Sequence, residues 1–210
     1  MASPTWFVFD LGNVLIDLAF DRVVSNICRD AELPGEELVE LLEGPGGYRD
    51  LERGAVSFAG LHELLRDRAG YTASLESFRE LWADFFAGIT PGMEELVRRV
   101  REQYRVGFLS NSNEVHAEVI PKMFPSLFRD EDVMIFSHEH SCAKPDPRMF
   151  RKALEILRAE GPDCLYVDDI EANVEAARSA GMIAFHFRGA AMLIDELERG
   201  GYLPPVSQQT

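Results

Sequence analysis

Polar side chains that could do chemistry follow several apolar runs of this 210-residue sequence. The first run ends at an acid and the second at a serine. A lysine follows the third run, and the fourth ends at a pair of acids. These positions are Asp10, Ser110, Lys144 and Asp168-Asp169. A carboxylate, a hydroxyl, an ammonium group and a second acidic pair each have a role in phosphoryl transfer. The pattern therefore favours that chemistry, provided the fold brings the positions together.

Each residue type suggests a role. Asp10 could attack phosphorus and form an aspartyl phosphate, which splits one hard displacement into two easier ones. Magnesium prefers oxygen ligands, and Asp10, Asp169 and the main-chain carbonyl of Gly12 would supply them. Ser110, at the expected start of a helix, and Lys144 would hold the phosphate oxygens.

Asp168 is expected to support the residues that bind the phosphate and the metal, by holding Lys144 or a metal-bound water. Taken singly, each residue has an ordinary structural explanation, such as a helix cap or an exposed polar position. The order of the residues along the chain, each at a strand end, is what favours a site.

Alternation of apolar strands with helical stripes predicts the scaffold. Strands are expected over residues 6–9, 105–109, 133–136, 164–167 and 183–187. The helices between them are expected to begin at Thr90-Pro91, at Asn111 and at Asp146-Pro147, with a last helix over 190–199. Strands that alternate with helices predict a doubly wound parallel α/β sheet, whose carboxyl ends meet at one edge.

The segment 17–89 breaks this alternation and is expected to contain only helices. Apolar stripes at helical spacing run through it, and Ser57 is a candidate N-cap. The predicted organisation is an α/β core, residues 1–16 and 90–210, with a helical cap at 17–89 that folds over the crevice as a lid. Residues 203–210 are expected to be loose.

Composition narrows the function classes. The formal net charge of −15 argues against nucleic acid or an anionic membrane as the main partner. No signal peptide or apolar stretch of membrane-spanning length is visible. The three cysteines form neither a CxxC pair nor a disulfide framework, which fits a cytoplasmic protein. Whether the chain is a monomer or a homodimer does not follow from the sequence.

Four motifs in register resemble the haloacid dehalogenase superfamily. They are Phe9-Asp10-Leu11-Gly12-Asn13-Val14, Leu109-Ser110-Asn111, Lys144-Pro145-Asp146 and Val167-Asp168-Asp169-Ile170-Glu171-Ala172-Asn173. The resemblance covers essentially the whole chain and is strongest to the bacterial branch that includes α-glucose-1-phosphatase. It implies a Rossmann-like core with an inserted helical cap.

The resemblance also implies site roles: a nucleophile at Asp10, phosphate ligands at Ser110, Asn111 and Lys144, and a magnesium ligand at Asp169. Asn173, within the fourth motif, would support the acidic pair. The implied activity is a magnesium-dependent phosphatase for small phosphate monoesters, with sugar phosphates as the expected substrates by analogy with that branch. A small phosphorylated metabolite is then the expected partner.

The sequence departs from the family at Gly12, where most of its phosphatases carry an aspartate as general acid and base. Asp17, His116 and His138 are conceivable substitutes, although Asp17 is expected to cap the first insert helix. Three alternatives compete with a phosphatase. Asp168-Asp169 argue against a dehalogenase, which needs no metal, and a phosphosugar mutase normally relies on the acid–base residue that is missing at Gly12. Gly12 keeps open a non-catalytic module that binds a phosphorylated ligand. Residues Tyr48, Arg49, Glu52 and Arg53 follow a glycine-rich turn and are plausible lid contacts, although an exposed helix face accounts better for most of them.

Overall fold

A computed structural model describes residues 3–205 of the chain. Its strands, in chain order, are Trp6–Phe9 (β1), Ile16–Leu18 (β2), Phe86–Ile89 (β3), Arg105–Ser110 (β4), Val133–Phe136 (β5), Cys164–Asp168 (β6) and Ile183–His186 (β7). The α-helices are Phe20–Ile27 (α1), Gly35–Glu43 (α2), Tyr48–Glu52 (α3), Phe58–Ala69 (α4), Leu75–Ala83 (α5), Met93–Val100 (α6), Glu114–Met123 (α7), Pro147–Leu157 (α8), Glu171–Ser179 (α9) and Ala190–Arg199 (α10). Short 3-10 helices span Ser137–Glu139 and Gly161–Asp163.

The central sheet has five parallel strands in the order β5-β4-β1-β6-β7. Strand β1 lies in the middle, and its last residue, Phe9, pairs with Phe108 of β4 and Val167 of β6. All four β1 residues are buried, because helices cover both faces of the sheet. The predicted doubly wound α/β sheet is confirmed, and its order brings the ends of β1, β4 and β6 side by side.

Two helices, α8 and α4, begin at their predicted N-cap residues. The Asp146 carboxylate accepts a hydrogen bond from Arg148 N at 2.8 Å, directly before α8. The Ser57 hydroxyl accepts one from Gly60 N at 3.1 Å at the start of α4. Both side chains satisfy backbone donors that the first helical turn leaves free.

Two predicted helix starts are wrong. Helix α6 begins at Met93, not at Thr90-Pro91, because Gly92 adopts the left-handed conformation, φ 86°, and ends a turn there. Helix α7 begins at Glu114, not at Asn111. Asn113 caps this helix, and its side-chain Oδ1 accepts hydrogen bonds from the backbone N–H groups of Val115 and His116, at 3.1 Å each.

The expectation of a purely helical segment over 17–89 is also wrong. Strands β2 and β3 pair antiparallel, with Ile16 opposite Ile89, and form a separate two-stranded ribbon. A backbone hydrogen bond from Thr90 N to Leu15 O, 2.9 Å, extends the pairing. The chain therefore enters and leaves the helical insert, defined here as residues 19–85, through two paired strands.

The helical insert has an aromatic core of its own. Phe58 and Phe78 stack with ring centroids 4.7 Å apart, and Trp82 lies against both. These rings are buried, as the stripes along α4 and α5 predict. The insert therefore packs internally as well as against the sheet domain.

The predicted loose tail is wrong at its first residue. Leu203 is 2% exposed and belongs to the main apolar core, and its N–H donates to Leu197 O at 3.2 Å. Residues 206–210 lie outside the described part of the chain. Within the described part, none of the helices has both the length and the apolar character that crossing a membrane requires.

Candidate active site

Polar strand ends meet at one edge of the sheet and line a cavity of about 390 Å³. Asp10 follows β1, Ser110 ends β4 and Asp168-Asp169 ends β6, so the parallel register places them together. Residues of both the sheet domain and the insert form the wall. The polar and charged ones are Asp10, Asn13, Glu43, Tyr48, Arg49, Glu52, Ser110, Asn111, Ser112, His116, Lys144, Asp169 and Asn173.

Lys144 is the cation at the centre of the site. Its Nζ lies 2.8 Å from Asp10 Oδ1 and 2.7 Å from Asp168 Oδ2, and all three side chains are at least nine-tenths buried. Burial opposes the charged form, but the two carboxylates outweigh it and raise the pKa of Lys144. The lysine is therefore held protonated between two acids.

The Asn111 side chain holds the main chain of Lys144 through two hydrogen bonds. The Asn111 amide donates to Lys144 O at 3.0 Å, and its Oδ1 accepts from Lys144 N at 2.8 Å. The pair links the loop after β4 to the loop that carries Lys144. Asn111 also lines the cavity, so its role as a phosphate ligand stays a prediction.

Asp168 is fully engaged in a buried hydrogen-bond network. Besides Lys144, it accepts from the Tyr166 hydroxyl, from Asn173 Nδ2 at 2.9 Å and from Ile170 N at 2.9 Å. Burial alone would raise the pKa of Asp168, but Lys144 and these donors lower it. Asp168 is therefore an ionised anchor for Lys144, as its predicted supporting role requires. No sequence pattern indicates the role of Tyr166, since a tyrosine within a buried strand has the pattern of an ordinary core residue.

Asp10, Asp168 and Asp169 form an acidic cluster, with one carboxylate oxygen of each within 4.8 Å of the others. Carboxylate oxygens at this spacing suit a hard divalent cation such as magnesium. Because Asp168 is already saturated, Asp10 and Asp169 are the carboxylates that could hold the ion. The residues present therefore fit the expected metal, and Gly12 is adjacent on the cavity wall.

Asp10, the candidate nucleophile, lies in surroundings that disfavour its ionised form. Burial raises the pKa of Asp10 from 3.8 to about 7, more than the attraction to Lys144 lowers it. Burial and the charge of Asp168 raise the pKa of Asp169 as well. Clustered carboxylates of this kind are poorly compensated by one lysine, and a bound cation would favour their ionised forms.

Gly12 supplies no acid at position 12, and the packing around it leaves little space for a side chain. A Cβ built on Gly12 would lie 2.9 Å from Leu18 Cδ1, so Leu18 fills the space that a larger residue would use. The expectation that Asp17 caps α1 is wrong, because Asp17 lies within strand β2. Its carboxylate instead accepts from the Thr90 hydroxyl at 2.6 Å, and Ala19 is the N-cap residue.

His116 lines the cavity but has both ring nitrogens occupied. Nε2 lies 3.2 Å from Trp82 O, and Nδ1 lies 3.1 Å from Asn113 Nδ2. The ring is therefore a donor to the carbonyl and an acceptor from the amide. His138 is not on the cavity wall. Neither histidine is placed to exchange a proton with a molecule in the cavity.

The insert contributes the outer wall. Tyr48, Arg49 and Glu52 of α3 line the cavity, as does Glu43 at the end of α2. Arg53 does not line it, and its half-exposed side chain instead lies 3.8 Å from Asp50. Three of the four candidate lid residues therefore line the cavity, although the sequence favoured an exposed helix face for most of them, and their contact with a substrate stays a prediction.

Together the fold and the cavity define a class: an enzyme with a Rossmann-like α/β core that collects acidic groups at its strand ends. The model of the haloacid dehalogenase-like hydrolase family matches residues 5–181. The chain therefore belongs to this family of hydrolases. The resemblance seen in the four sequence motifs is confirmed, while the assignment to one bacterial branch stays a prediction.

Curated relatives include phosphatases of matching length. The chain is 24% identical to D-ribitol-5-phosphate phosphatase of Bacteroides thetaiotaomicron over 195 residues, which are 90% of this chain and 95% of that one. It is 29% identical to phosphatase MT3486 of Mycobacterium tuberculosis over 183 residues, 85% and 84% of the two chains.

A solved structure has the same fold. The HAD family enzyme bt-2542 from Bacteroides thetaiotaomicron, crystallised in complex with magnesium and inorganic phosphate, superposes with a TM-score of 0.78 at 24% identity. The match covers 89% of this chain and 96% of that chain. At this identity the superposition supports the fold.

Proposed function

We propose that this protein is a magnesium-dependent phosphatase that hydrolyses small phosphate monoesters, foremost sugar or polyol phosphates, through an aspartyl phosphate on Asp10. The observation that carries the proposal is the contact of Asp10 Oδ1 with a buried lysine beside a second acidic residue, in a cavity of about 390 Å³. That volume suits a small ester. Similarity to phosphatases, one of them acting on D-ribitol 5-phosphate, supports the substrate class.

The proposed first step forms the covalent intermediate. Asp10 Oδ1 is engaged by Lys144 and by Leu11 N at 2.7 Å, which leaves Oδ2 as the atom that attacks phosphorus. Ser110 and Lys144 would bind the phosphate oxygens, because a hydroxyl and an ammonium are suitable donors. Water then hydrolyses the aspartyl phosphate and regenerates Asp10.

Asp10, Asp169 and the carbonyl of Gly12 would hold the magnesium ion. When bound, the ion would reduce the repulsion between the carboxylates and the incoming phosphate. Asp168 would keep Lys144 aligned, with Tyr166 and Asn173 holding the Asp168 carboxylate in turn.

We also propose a two-part organisation, in which a cap at residues 17–89, comprising the helical insert and most of the β2–β3 ribbon, covers an α/β core of residues 1–16 and 90–210. The cavity wall supports this division, since Asp10 and Lys144 come from the sheet domain and Tyr48 and Arg49 from the insert. Three free cysteines, two of them buried, are compatible with a reducing cytoplasm as the working compartment.

Phosphate release tests the function. The panel comprises sugar and polyol phosphates, nucleotides, an aryl phosphate and a 2-haloacid, each with magnesium or with EDTA. Asp10→Asn keeps the shape of the nucleophile but removes its charge, and Glu40→Gln is a control at an exposed position of α2.

Release that needs magnesium, survives in the control and is lost by at least about a thousandfold in Asp10→Asn is the expected result. Halide release without metal would instead indicate a dehalogenase. No turnover of any compound by the folded, metal-loaded protein would contradict the proposal and favour a module that only binds phosphorylated ligands.

A further inference from the structure

The proposed reaction needs a group that moves protons. The leaving alkoxide of a sugar phosphate must take up a proton, and the water that attacks the aspartyl phosphate must lose one. Gly12 has no side chain, and the methyl group of Leu18 occupies the adjacent space. The group must therefore come from elsewhere on the cavity wall.

Most titratable side chains on that wall have another partner. Lys144 bridges two carboxylates, and both nitrogens of His116 are hydrogen-bonded. Asp10 and Asp169 are the proposed nucleophile and metal ligand. Among the described residues that line the cavity, this leaves two carboxylates, Glu43 and Glu52, both from the insert. Glu43 is exposed at the end of α2, whereas Glu52 is half-buried.

The backbone at Glu52 is anchored to the sheet domain. The Ser137 hydroxyl donates to Glu52 O and accepts from Ser112 N at 2.9 Å. Two residues further on, Gly54 packs so closely on His138 that an added Cβ would lie 2.2 Å from the His138 carbonyl oxygen. These contacts hold the carboxyl-terminal end of α3 over the strand ends, so Glu52 enters the cavity from a defined position.

Four polar groups surround the Glu52 carboxyl. Tyr48, one helical turn earlier, is hydrogen-bonded to it, Arg49 is on the same helix, Arg53 directly follows that helix, and Lys144 of the sheet domain is close enough for its charge to act on it. All four favour the ionised form, yet burial outweighs them and raises the pKa of Glu52. The raised pKa keeps more of the Glu52 carboxyl protonated than in an exposed glutamate at the same pH, and a carboxyl group on the cavity wall can donate a proton and later accept one.

We propose that Glu52, on the helical insert, is the general acid and base of this enzyme and takes the place of the side chain that Gly12 lacks. The inference rests on the proposed phosphatase function. In the first step Asp10 Oδ2 bonds to phosphorus, the ester P–O bond breaks, and the leaving oxygen takes the Glu52 proton to become an alcohol. In the second step Glu52 removes a proton from water, whose oxygen bonds to phosphorus, and the phosphorus bond to Asp10 breaks to give inorganic phosphate.

Glu52→Gln with two substrates of different leaving-group quality tests the role. An alkyl ester such as a sugar phosphate needs the acid, so its kcat/KM should fall by about 10²- to 10⁴-fold. A nitrophenyl phosphate does not need the acid, so its first step should slow by less than about tenfold. Its second step still needs the base. Rapid mixing should therefore show a burst of about one nitrophenol per active site, followed by slow turnover.

The control and alternative outcomes are distinct. Glu40→Gln, at an exposed position outside the cavity, should behave as wild type with both substrates. An equal loss in Glu52→Gln for both esters without a burst, or a change confined to KM, would overturn the inference and leave Glu52 as a substrate-binding residue. The same leaving-group signature in Glu43→Gln would transfer the role to Glu43.

Failure of the underlying function gives a different pattern. In that case wild type would release no phosphate from either ester. If wild type is active and Asp10→Asn is not, the phosphatase proposal stands whatever Glu52→Gln does. The far-ultraviolet circular dichroism and urea midpoint of Glu52→Gln, compared with wild type, separate loss of folding from loss of proton transfer.

Discussion

The His116 imidazole couples the stability of this protein to pH. It is 3% exposed and packs among the rings of Trp82, Phe85 and Phe86. Burial lowers the pKa of His116 from 6.5 to about 4, more than the hydrogen bond to Trp82 O raises it. The folded state therefore keeps the ring neutral over a pH range in which the unfolded chain has taken up a proton.

The sign and size of the effect follow from these two pKa values. Because the pKa is lower in the folded state, the stability that His116 contributes is present above pH 6.5 and is lost as the pH falls toward 4. Between pH 7 and pH 5, this single group should lower the free energy of unfolding by about 2 kcal/mol.

Urea unfolding of wild type and His116→Phe, both without metal, isolates the contribution. Phenylalanine keeps an aromatic ring in the cluster but cannot titrate, and its loss of two hydrogen bonds costs the same at both pH values. The stability of wild type relative to the variant should therefore decrease by about 2 kcal/mol from pH 7 to pH 5. A difference that stays constant between the two pH values would refute the reasoning, since it would mean that the folded protein accepts the charged ring.

Three further substitutions give separate tests. Gly54→Ala places a Cβ against His138 O at a left-handed position, φ 65°, and should cost at least about 2 kcal/mol by urea unfolding; an unchanged midpoint would contradict the close approach. Lys144→Met removes the cation between two buried carboxylates and should reduce phosphate release by about a hundredfold or more in steady-state assays, whereas near-normal turnover would exclude a role in the reaction. Arg101→Met leaves the Asp132 carboxylate, 2% exposed, without its partner and should cost about 3–5 kcal/mol, measured as a fall in Tm; a change below about 1 kcal/mol would show that water reaches the carboxylate.

The central sheet was predictable because its strands are buried on both faces. The run Trp6–Phe9 and the run at 164–167 have no charged residue and are rich in large apolar and aromatic side chains, which is typical of the interior of a covered sheet. Asp10 and Asp168 follow these runs directly, so their meeting at one edge followed from parallel register alone. The acidic cluster was for this reason predictable from the sequence.

The ribbon of β2 and β3 was not predictable in the same way. Its strands are three and four residues long, and β3 contains Gly88, which is unfavourable in a strand. The two strands are stabilised by pairing with each other, although the helical insert separates them in sequence. Local pattern carries no information on such a long-range pairing.

The predicted start of α7 was wrong because several residues before this helix could act as its N-cap. The stretch Ser110-Asn111-Ser112-Asn113 offers a candidate at every position, and the structure uses the last one. The Asn111 side chain is committed elsewhere, to the main chain of Lys144, and the backbone N–H of Ser112 donates to the Ser137 hydroxyl. Tertiary contacts, which the sequence pattern does not encode, decided between capping residues of nearly equal propensity.

Within the site, the sequence identified the groups but not their connections. Tyr166 and Ser137 went unnoticed because a lone hydroxyl in a strand or loop gives no periodic signal. Glu52 was one of several charged residues on a short helix, and only its position on the cavity wall distinguishes it from Arg53. Which face a five-residue helix presents depends on the contacts that anchor it.

The paired strands at the boundary of the insert have a consequence for the modularity of the protein. Because Ile16 and Ile89 are opposite each other, the two points where the insert joins the chain are neighbours in space. A bundle of different length and sequence could be grafted onto the ribbon without changing the order or register of the five-stranded sheet. Recognition of the substrate could then diverge by exchange of one contiguous segment while Asp10, Lys144 and Asp168 stayed in place. The proposed position of the proton-transfer group on that same segment sets a limit, since a new bundle would have to bring its own carboxylate.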